Sequence, residues 1–269
     1  MTARPGRLVL LGHPVAHSLS PTFQNAALRA AALPFTYEAI DVEPGGFAAC
    51  VDRLVGERAA GNVTIPHKAA MLTRCAEVTP LAARAGAVNT FWVDDGGQLQ
   101  GDNTDVGGFD AAVAALLQQA PRDLTVALLG AGGAAGAVLT AAERWPHSSV
   151  RVWSRRHDAA VALAGRFGAT VSAHELLAEA IRGVDLVVNA TPIGLADDSI
   201  PFPVALVRRQ AAVLDLVYRR GGTPWIKAAR ARGLRAMDGL PMLLEQGALA
   251  FERWFGVAPD RAAMRASVA

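Results

Sequence analysis

Along the chain, short apolar runs alternate with longer segments whose apolar residues recur every three or four positions. Residues 7–12 (RLVLLG) are the first such run and predict a strand. A polar loop follows over 13–20. A helix is then expected, with Ser20 as its N-cap and Pro21 at the first helical position. Residues 36–41 read as a strand, 47–55 as a helix, and 62–65 as a short strand stopped by Pro66. Residues 87–93 and 98–101 bracket Asp94-Asp95-Gly96-Gly97, a hairpin turn signal. This first stretch predicts one α/β unit.

A helix is expected over 105–118, and after Pro121 the pattern restarts. Residues 124–129 (LTVALL) are continuously apolar, as in a parallel sheet covered on both faces. Helices over 134–144, 159–167 and 225–232 then alternate with strands over 150–153, 186–189 and 213–216. That succession predicts a doubly wound nucleotide-binding domain. The last segment, 240–255, reads as a long amphipathic helix.

A length of 269 residues suits one large domain or two small ones, and 52% apolar residues easily fill two cores. No apolar run reaches the ~18 residues of a membrane span, and the run that follows Arg4 and Arg7 is too short for a signal peptide. A cytoplasmic protein is expected. Cys50 and Cys75 stand apart from each other and from any Cys/His cluster, so neither a zinc site nor a disulfide framework is expected. A formal net charge of +2 from dispersed residues gives no reason to expect a nucleic-acid or membrane partner. One compositional fact bears on chemistry. Of the 26 Lys and Arg residues, only Lys68 and Lys227 are lysines. Arg stays protonated in proteins, whereas Lys can give up its proton, so each retained lysine is a candidate for proton exchange.

Gly130, Gly132 and Ala135 match G-x-G-x-x-A between an apolar strand and a helix. In such a turn the first glycine permits the bend. The second lets the backbone approach a pyrophosphate seated on the helix N-terminus. An NAD site would place Asp or Glu roughly 20 residues further on to hold a ribose hydroxyl. Here that strand end reads Trp153-Ser154-Arg155-Arg156, two guanidinium groups where a 2′-phosphate would lie. The pattern favours NADP(H), and nearby Asp158 is the one residue that argues for mixed use.

Four polar clusters punctuate the N-terminal half at expected loops. The first, 12–21, contains Ser18 and Ser20 beside a helix start, where hydroxyls and amides could bind a carboxylate. The second is 61–68 and ends on Lys68. The third is 86–90, with Asn89, and the fourth is 101–105, with Asp105.

Taken together these segments resemble the shikimate dehydrogenase family. They match its HSxSP loop (17–21), its NVTxPxK segment (62–68), GAVNT (86–90) and GxNTDxxG (101–108). Downstream, the GAGGA turn of Gly130, Ala131, Gly132, Gly133 and Ala134, the segments 189–194 and 215–218, and the helix start at 239–246 match in order. The resemblance implies an N-terminal α/β substrate domain (1–104, completed by 239–269) and a Rossmann-type NADP domain (105–238). A C-terminal helix would return to the first. It also implies interconversion of 3-dehydroshikimate and shikimate in aromatic amino-acid biosynthesis. By motif position, Lys68 and Asp105 would be the catalytic pair. Ser18, Ser20, Thr64, Asn89, Tyr218 and Gln246 would meet the substrate carboxylate or hydroxyls. The cofactor would be lined by the 130–134 turn, Ser154, Arg155, Arg156, Thr191, Leu216 and Gly239. The chain departs from the family pattern at His13, Ser154, Pro192-Ile193 and Arg219-Arg220. Quinate/shikimate and aminoshikimate dehydrogenases share the fold. A non-catalytic metabolite sensor is a reading of another class, disfavoured because both Lys68 and Asp105 are present. The sequence leaves monomer and homodimer open.

Overall fold

Strand β1 (Arg7–Gly12) is buried on both faces, and its alternation divides two cores. Val9 and Leu11 point to one side, Leu8 and Leu10 to the other. A computed structural model describes residues 5–269, so Arg4 lies outside the described residues. The described residues form two compact units, one made of 5–108 with 243–269, the other of 109–242. The expected boundaries at 105 and 239 fall four residues earlier, at the starts of the helices that carry the chain from one unit to the other.

In the first unit, β1 is followed by helix α1 (Ser20–Ala30), β2 (Tyr37–Asp41), α2 (Phe47–Gly56), β3 (Ala59–Val63) and α3 (Lys68–Arg74). Then come β4 (Glu77–Val78), α4 (Pro80–Ala85), β5 (Thr90–Val93), β6 (Leu99–Asp102) and α5 (Asp105–Leu117). The six strands lie in the order β2-β1-β3-β5-β6-β4. The pairs β1–β2, β1–β3 and β4–β6 are parallel, while β5 runs against β3 and β6. Phe47, Val51, Leu54 and Met71 of α2 and α3 cover one face. Phe23, Ala27 and Leu28 of α1 cover the other, with residues of α10 (Leu240–Phe255) and α11 (Arg261–Ala266).

The second unit adds β7 (Thr125–Leu129), α6 (Gly133–Ala142), β8 (Ser149–Trp153), α7 (His157–Gly165), β9 (Val171–His174) and α8 (Leu177–Ala180). It ends with β10 (Leu186–Asn189), β11 (Ala212–Asp215), α9 (Pro224–Ala231) and β12 (Arg235–Met237). All neighbours in its sheet are parallel, in the order β12-β11-β10-β7-β8-β9. The chain therefore reverses direction across the sheet between β7 and β10, the switch point where ligands of such sheets bind.

Three local expectations are corrected. Leu19, not Ser20, is the N-cap of α1, and no side chain caps that helix. The Ser18 hydroxyl instead accepts the Ser20 backbone N–H at 3.2 Å, a local turn that competes with capping. The strand expected over 62–65 is β3, which begins at Ala59 and ends at Val63, because small Ala59, Ala60 and Gly61 pair with β1. A Cβ on Gly61 would lie 2.0 Å from the Val9 carbonyl oxygen, so only glycine fits this pairing. Finally, Lys68 opens helix α3 rather than lying in a loop.

Candidate functional site

The antiparallel strand in the first sheet decides where its polar clusters meet. Because β5 runs against its neighbours, its first residue, Thr90, pairs with both Asn62 of β3 and Asp102 of β6. The 86–90 cluster, which precedes a strand rather than following one, therefore reaches the same end of the sheet as the clusters after β3 and β6.

At that end Lys68 Nζ donates to Asp105 Oδ2 at 2.5 Å, with the two side chains 16% and 7% exposed. A surface ion pair would be worth little, but this one is largely removed from water and further ligated. Asn89 Nδ2 donates to Asp105 Oδ1 at 2.8 Å and lies 3.1 Å from Gln246 Oε1. Gln246 donates through Nε2 to the Leu243 carbonyl at 2.8 Å, which turns its oxygen toward Asn89. The backbone holds the cluster in turn. Val88 N donates to the Lys68 carbonyl at 3.0 Å, and Asn89 N to the Asp102 carbonyl at 3.1 Å. Lys68, Asn89, Asp105 and Gln246 are thus brought together in one unit. Such a pair can hold a proton on a nitrogen beside an oxygen acceptor, which is what acid–base work on a hydroxyl requires.

Ser18 is half-buried on the loop after β1, Ser20 is buried at the first residue of α1, and Thr64 is half-buried after β3. The two loops are tied by His13 N to the Ile65 carbonyl at 2.9 Å and Thr64 N to the Leu11 carbonyl at 2.8 Å. Asp41 braces the first loop, accepting from Val15 N at 3.0 Å and bonding His13 Nδ1 at 2.6 Å. That contact raises the His13 pKa and lowers that of Asp41. Asp102 escaped the sequence reading as a separate group. It is buried, it accepts from Asn103 N and from Thr79 Oγ1, and it pairs with Arg253 at 2.6 Å. It falls at the unspecified position of the 101–108 motif, so neither the motif nor its residue type marked it.

In the second unit, Gly130 follows β7 with φ +110°. A Cβ there would lie 2.9 Å from the Ala190 carbonyl oxygen, so both conformation and space require glycine. Gly132 is the N-cap of α6 and offers no side chain, and a Cβ on Gly132 or Gly133 would meet nothing within 4 Å. Open space therefore faces amides that lack an intrahelical acceptor, a geometry suited to an anion. Thr191 follows β10, the strand beside β7. Its hydroxyl donates to Asn189 Oδ1 at 2.6 Å. Asn189 Nδ2 donates to Asp215 Oδ1 at 2.8 Å. Asp215 is fully buried, and that burial raises its pKa to about 6. Gly239 packs its α-carbon on the Leu216 backbone, where a Cβ would lie 2.2 Å from the Leu216 oxygen. Ser154 follows β8 and accepts from Arg156 N at 3.3 Å, and Arg155 and Arg156 are exposed. Tyr218 is half-buried in this unit, beyond β11.

Cys50 and Cys75 are free thiols, and burial pushes the Cys75 pKa up to about 12. Among the described residues no helix is long and apolar enough to cross a membrane, and no cluster could hold a metal ion.

Comparison with known proteins gives the following. The sequence profile of the shikimate dehydrogenase substrate binding domain matches residues 10–91, and that of the shikimate 5′-dehydrogenase C-terminal domain matches 239–269. A shikimate dehydrogenase (NADP(+)) of Rubrobacter xylanophilus is 43% identical over 267 residues, spanning 95% of this chain and 93% of its own. The crystal structure of shikimate dehydrogenase from Aquifex aeolicus aligns with a TM-score of 0.91 at 32% identity, over 100% of this chain and 99% of that one. Shikimate 5-dehydrogenase from Thermus thermophilus, in complex with NADP(H) and shikimate, aligns with a TM-score of 0.86 at 39% identity, over 97% and 98%.

Proposed function

This chain belongs to the shikimate dehydrogenase family, and from that premise we propose that it reversibly reduces 3-dehydroshikimate to shikimate in the shikimate pathway. It is an NADP-dependent oxidoreductase acting on a CH–OH group. The observation that carries the finer reading is the Lys68–Asp105 pair, 2.5 Å apart and withdrawn from water.

Ketone reduction needs a hydride on carbon and a proton on oxygen. Bound NADPH supplies the hydride. Lys68 supplies the proton from Nζ and steadies the charge growing on the oxygen. In the oxidative direction Lys68 takes that proton back. Asp105 orients the ammonium group and holds the reacting hydroxyl. Ser18 and Ser20 hold the substrate carboxylate, and Thr64, Asn89, Gln246 and Tyr218 meet the carboxylate or ring hydroxyls. The 130–134 turn, Thr191, Leu216 and Gly239 line the cofactor, with Ser154, Arg155 and Arg156 on its 2′-phosphate. The exposed guanidinium pair, with no acid at the β8 strand end, supports NADP over NAD. The first unit, through residue 108 and resuming at 243, acts as the substrate domain and 109–242 as the cofactor domain, in the cytoplasm.

The test is initial-rate absorbance of the reduced nicotinamide with shikimate or quinate, each with NADP⁺ or NAD⁺. Shikimate with NADP⁺ is expected to give the highest kcat/KM. Activity confined to quinate with NAD⁺ would overturn both assignments. In the same assay Lys68→Arg, which keeps the charge but cannot release a proton, should lose about a thousandfold in kcat with KM moving far less.

A further inference from the structure

Asn89 is held by more than its contact with Asp105. Its Oδ1 receives the backbone N–H of Thr104 at 2.8 Å, and a backbone N–H only donates. That bond decides which end of the carboxamide is oxygen and turns Nδ2 toward the Asp105 carboxylate.

Behind Asn89 a second line of groups runs in the same sense. Asn62 Nδ2 donates to the Asn89 carbonyl at 3.2 Å and to Thr90 Oγ1 at 2.9 Å. A carbonyl only accepts, so the oxygen of Asn62 must face the other way. There the Tyr37 hydroxyl donates to it at 2.8 Å. Burial raises the Tyr37 phenol well above its ordinary pKa, which keeps the donor protonated. Thr90 Oγ1, receiving Asn62, lies within donating distance of Asn89 Oδ1 at 3.0 Å and also meets the Thr104 hydroxyl at 2.9 Å, where either oxygen can donate. The outer end is anchored as well, since the Asn25 side chain bonds both the N–H and the carbonyl of Tyr37, at 2.9 and 2.8 Å.

Tyr37, Asn62 and Thr90 are each 4% exposed or less, too deep to meet a substrate themselves. An apolar interior of the same shape would avoid the cost of desolvating them. Their donors and acceptors are matched instead, and the line ends on a carboxylate. We infer that Tyr37, Asn62 and Thr90 are positioning residues, a one-way hydrogen-bond strut that sets the Asn89 carboxamide and, through it, the Asp105 carboxylate against Lys68.

The inference rests on the catalytic reading of Lys68 and Asp105, and its test is separable from that reading. Thr90→Val removes the hydroxyl and keeps the shape, while Thr90→Ser keeps the hydroxyl. With only Lys68 and Lys227 in the chain, lysine labelled with carbon-13 at Cε gives two resonances, one an internal control. In full-length Thr90→Val the Lys68 Cε resonance should change its chemical shift at neutral pH, because a looser Asp105 carboxylate no longer holds the ammonium in one position. Lys227 should not move. On the substrate that the wild type turns over, kcat should fall about tenfold and KM less, with Thr90→Ser staying within about threefold of wild type. A Thr90→Val protein with the wild-type Lys68 resonance and wild-type kcat, even if it melts earlier, would show that these residues only pack. Should Thr90→Val not fold, Tyr37→Phe is read the same way, and an unmoved Lys68 resonance with unchanged kcat overturns the strut. Absence of shikimate turnover in the wild type counts against the proposed reaction alone, since the lysine spectrum needs no substrate.

Discussion

Asp215 is a carboxyl group at the end of an interior strand, fully removed from solvent, and its partners do not carry full charges. It accepts from Asn189 Nδ2 at 2.8 Å, Val217 N at 3.1 Å and Thr223 Oγ1 at 2.8 Å. Those bonds favour the ionised form, but burial outweighs them, and Asp238 nearby adds to the upward shift, to about 6 from 3.8. A carboxyl raised in the folded state stabilises the fold below its unfolded pKa, and this contribution is lost as pH rises through the folded value. The gap amounts to about 3 kcal/mol. Asn at this position keeps an oxygen for Asn189 and Val217 and sheds the buried charge. Asp215→Asn is therefore expected to gain stability relative to wild type between pH 4 and pH 7. Denaturant midpoints at both pH values check it, and an equal difference at each would refute the buried-charge account. The same residue scale shows where the sequence was readable. Lys68 stood out by type, as one of two lysines, whereas Asp105 was marked by its place in the family motif. Thr90 and Asn62 did not, because a polar residue within a strand reads as solvent-facing until the sheet's covering is known. Ser20 misled for a physical reason: Ser18, two residues earlier, takes its N–H.

Among the elements, β7, β10 and β11 were legible because each is covered on both faces and so written almost entirely in apolar residues. Helix α10 matched its expected span because its apolar stripe is long. The edge elements were not legible. β9, β12 and the two-residue β4 are short, lie at or toward the sheet margins, and carry polar residues that blur any alternation. Helix α3 buries only Met71, too little for a period to show. The turn between β7 and α6 was the most legible connection, because its glycines answer two separate demands. At Gly130 the φ of +110° disfavours any side chain, and the Ala190 carbonyl blocks one. Gly130→Ala should cost about 1–3 kcal/mol. It should also weaken NADP⁺ binding at least about tenfold, because the turn after β7 can no longer approach the Ala190–Thr191 backbone and side chain after β10 as it does. Titration of protein fluorescence with NADP⁺ checks the second effect, and wild-type affinity in a folded variant would remove this turn from the cofactor site.

At the scale of the whole molecule, each unit has a core of its own. The first is discontinuous in sequence. Ala248, Ala250, Phe251 and Trp254 of α10 and Met264 of α11 fill the same core as Leu8 and Leu10 of β1 and Phe23 of α1. It cannot complete that core until the chain has passed through the second unit, whose sheet is continuous from β7 to β12. Lys68, Asn89, Asp105 and Gln246 all belong to the first unit, and the glycine turn, Thr191 and the Arg155–Arg156 pair to the second. A ligand that binds one folded unit stabilises that unit by mass action, by about 2.7 kcal/mol at a hundredfold excess over Kd. Calorimetry is therefore expected to resolve two transitions. Gly130→Ala identifies the one that belongs to the second unit, because it should lower that transition alone. NADP⁺ should raise the same transition, and shikimate the other. If NADP⁺ instead lifted the transition that Gly130→Ala leaves in place, the assignment of cofactor and substrate to separate units would fall, whatever the catalytic residues do.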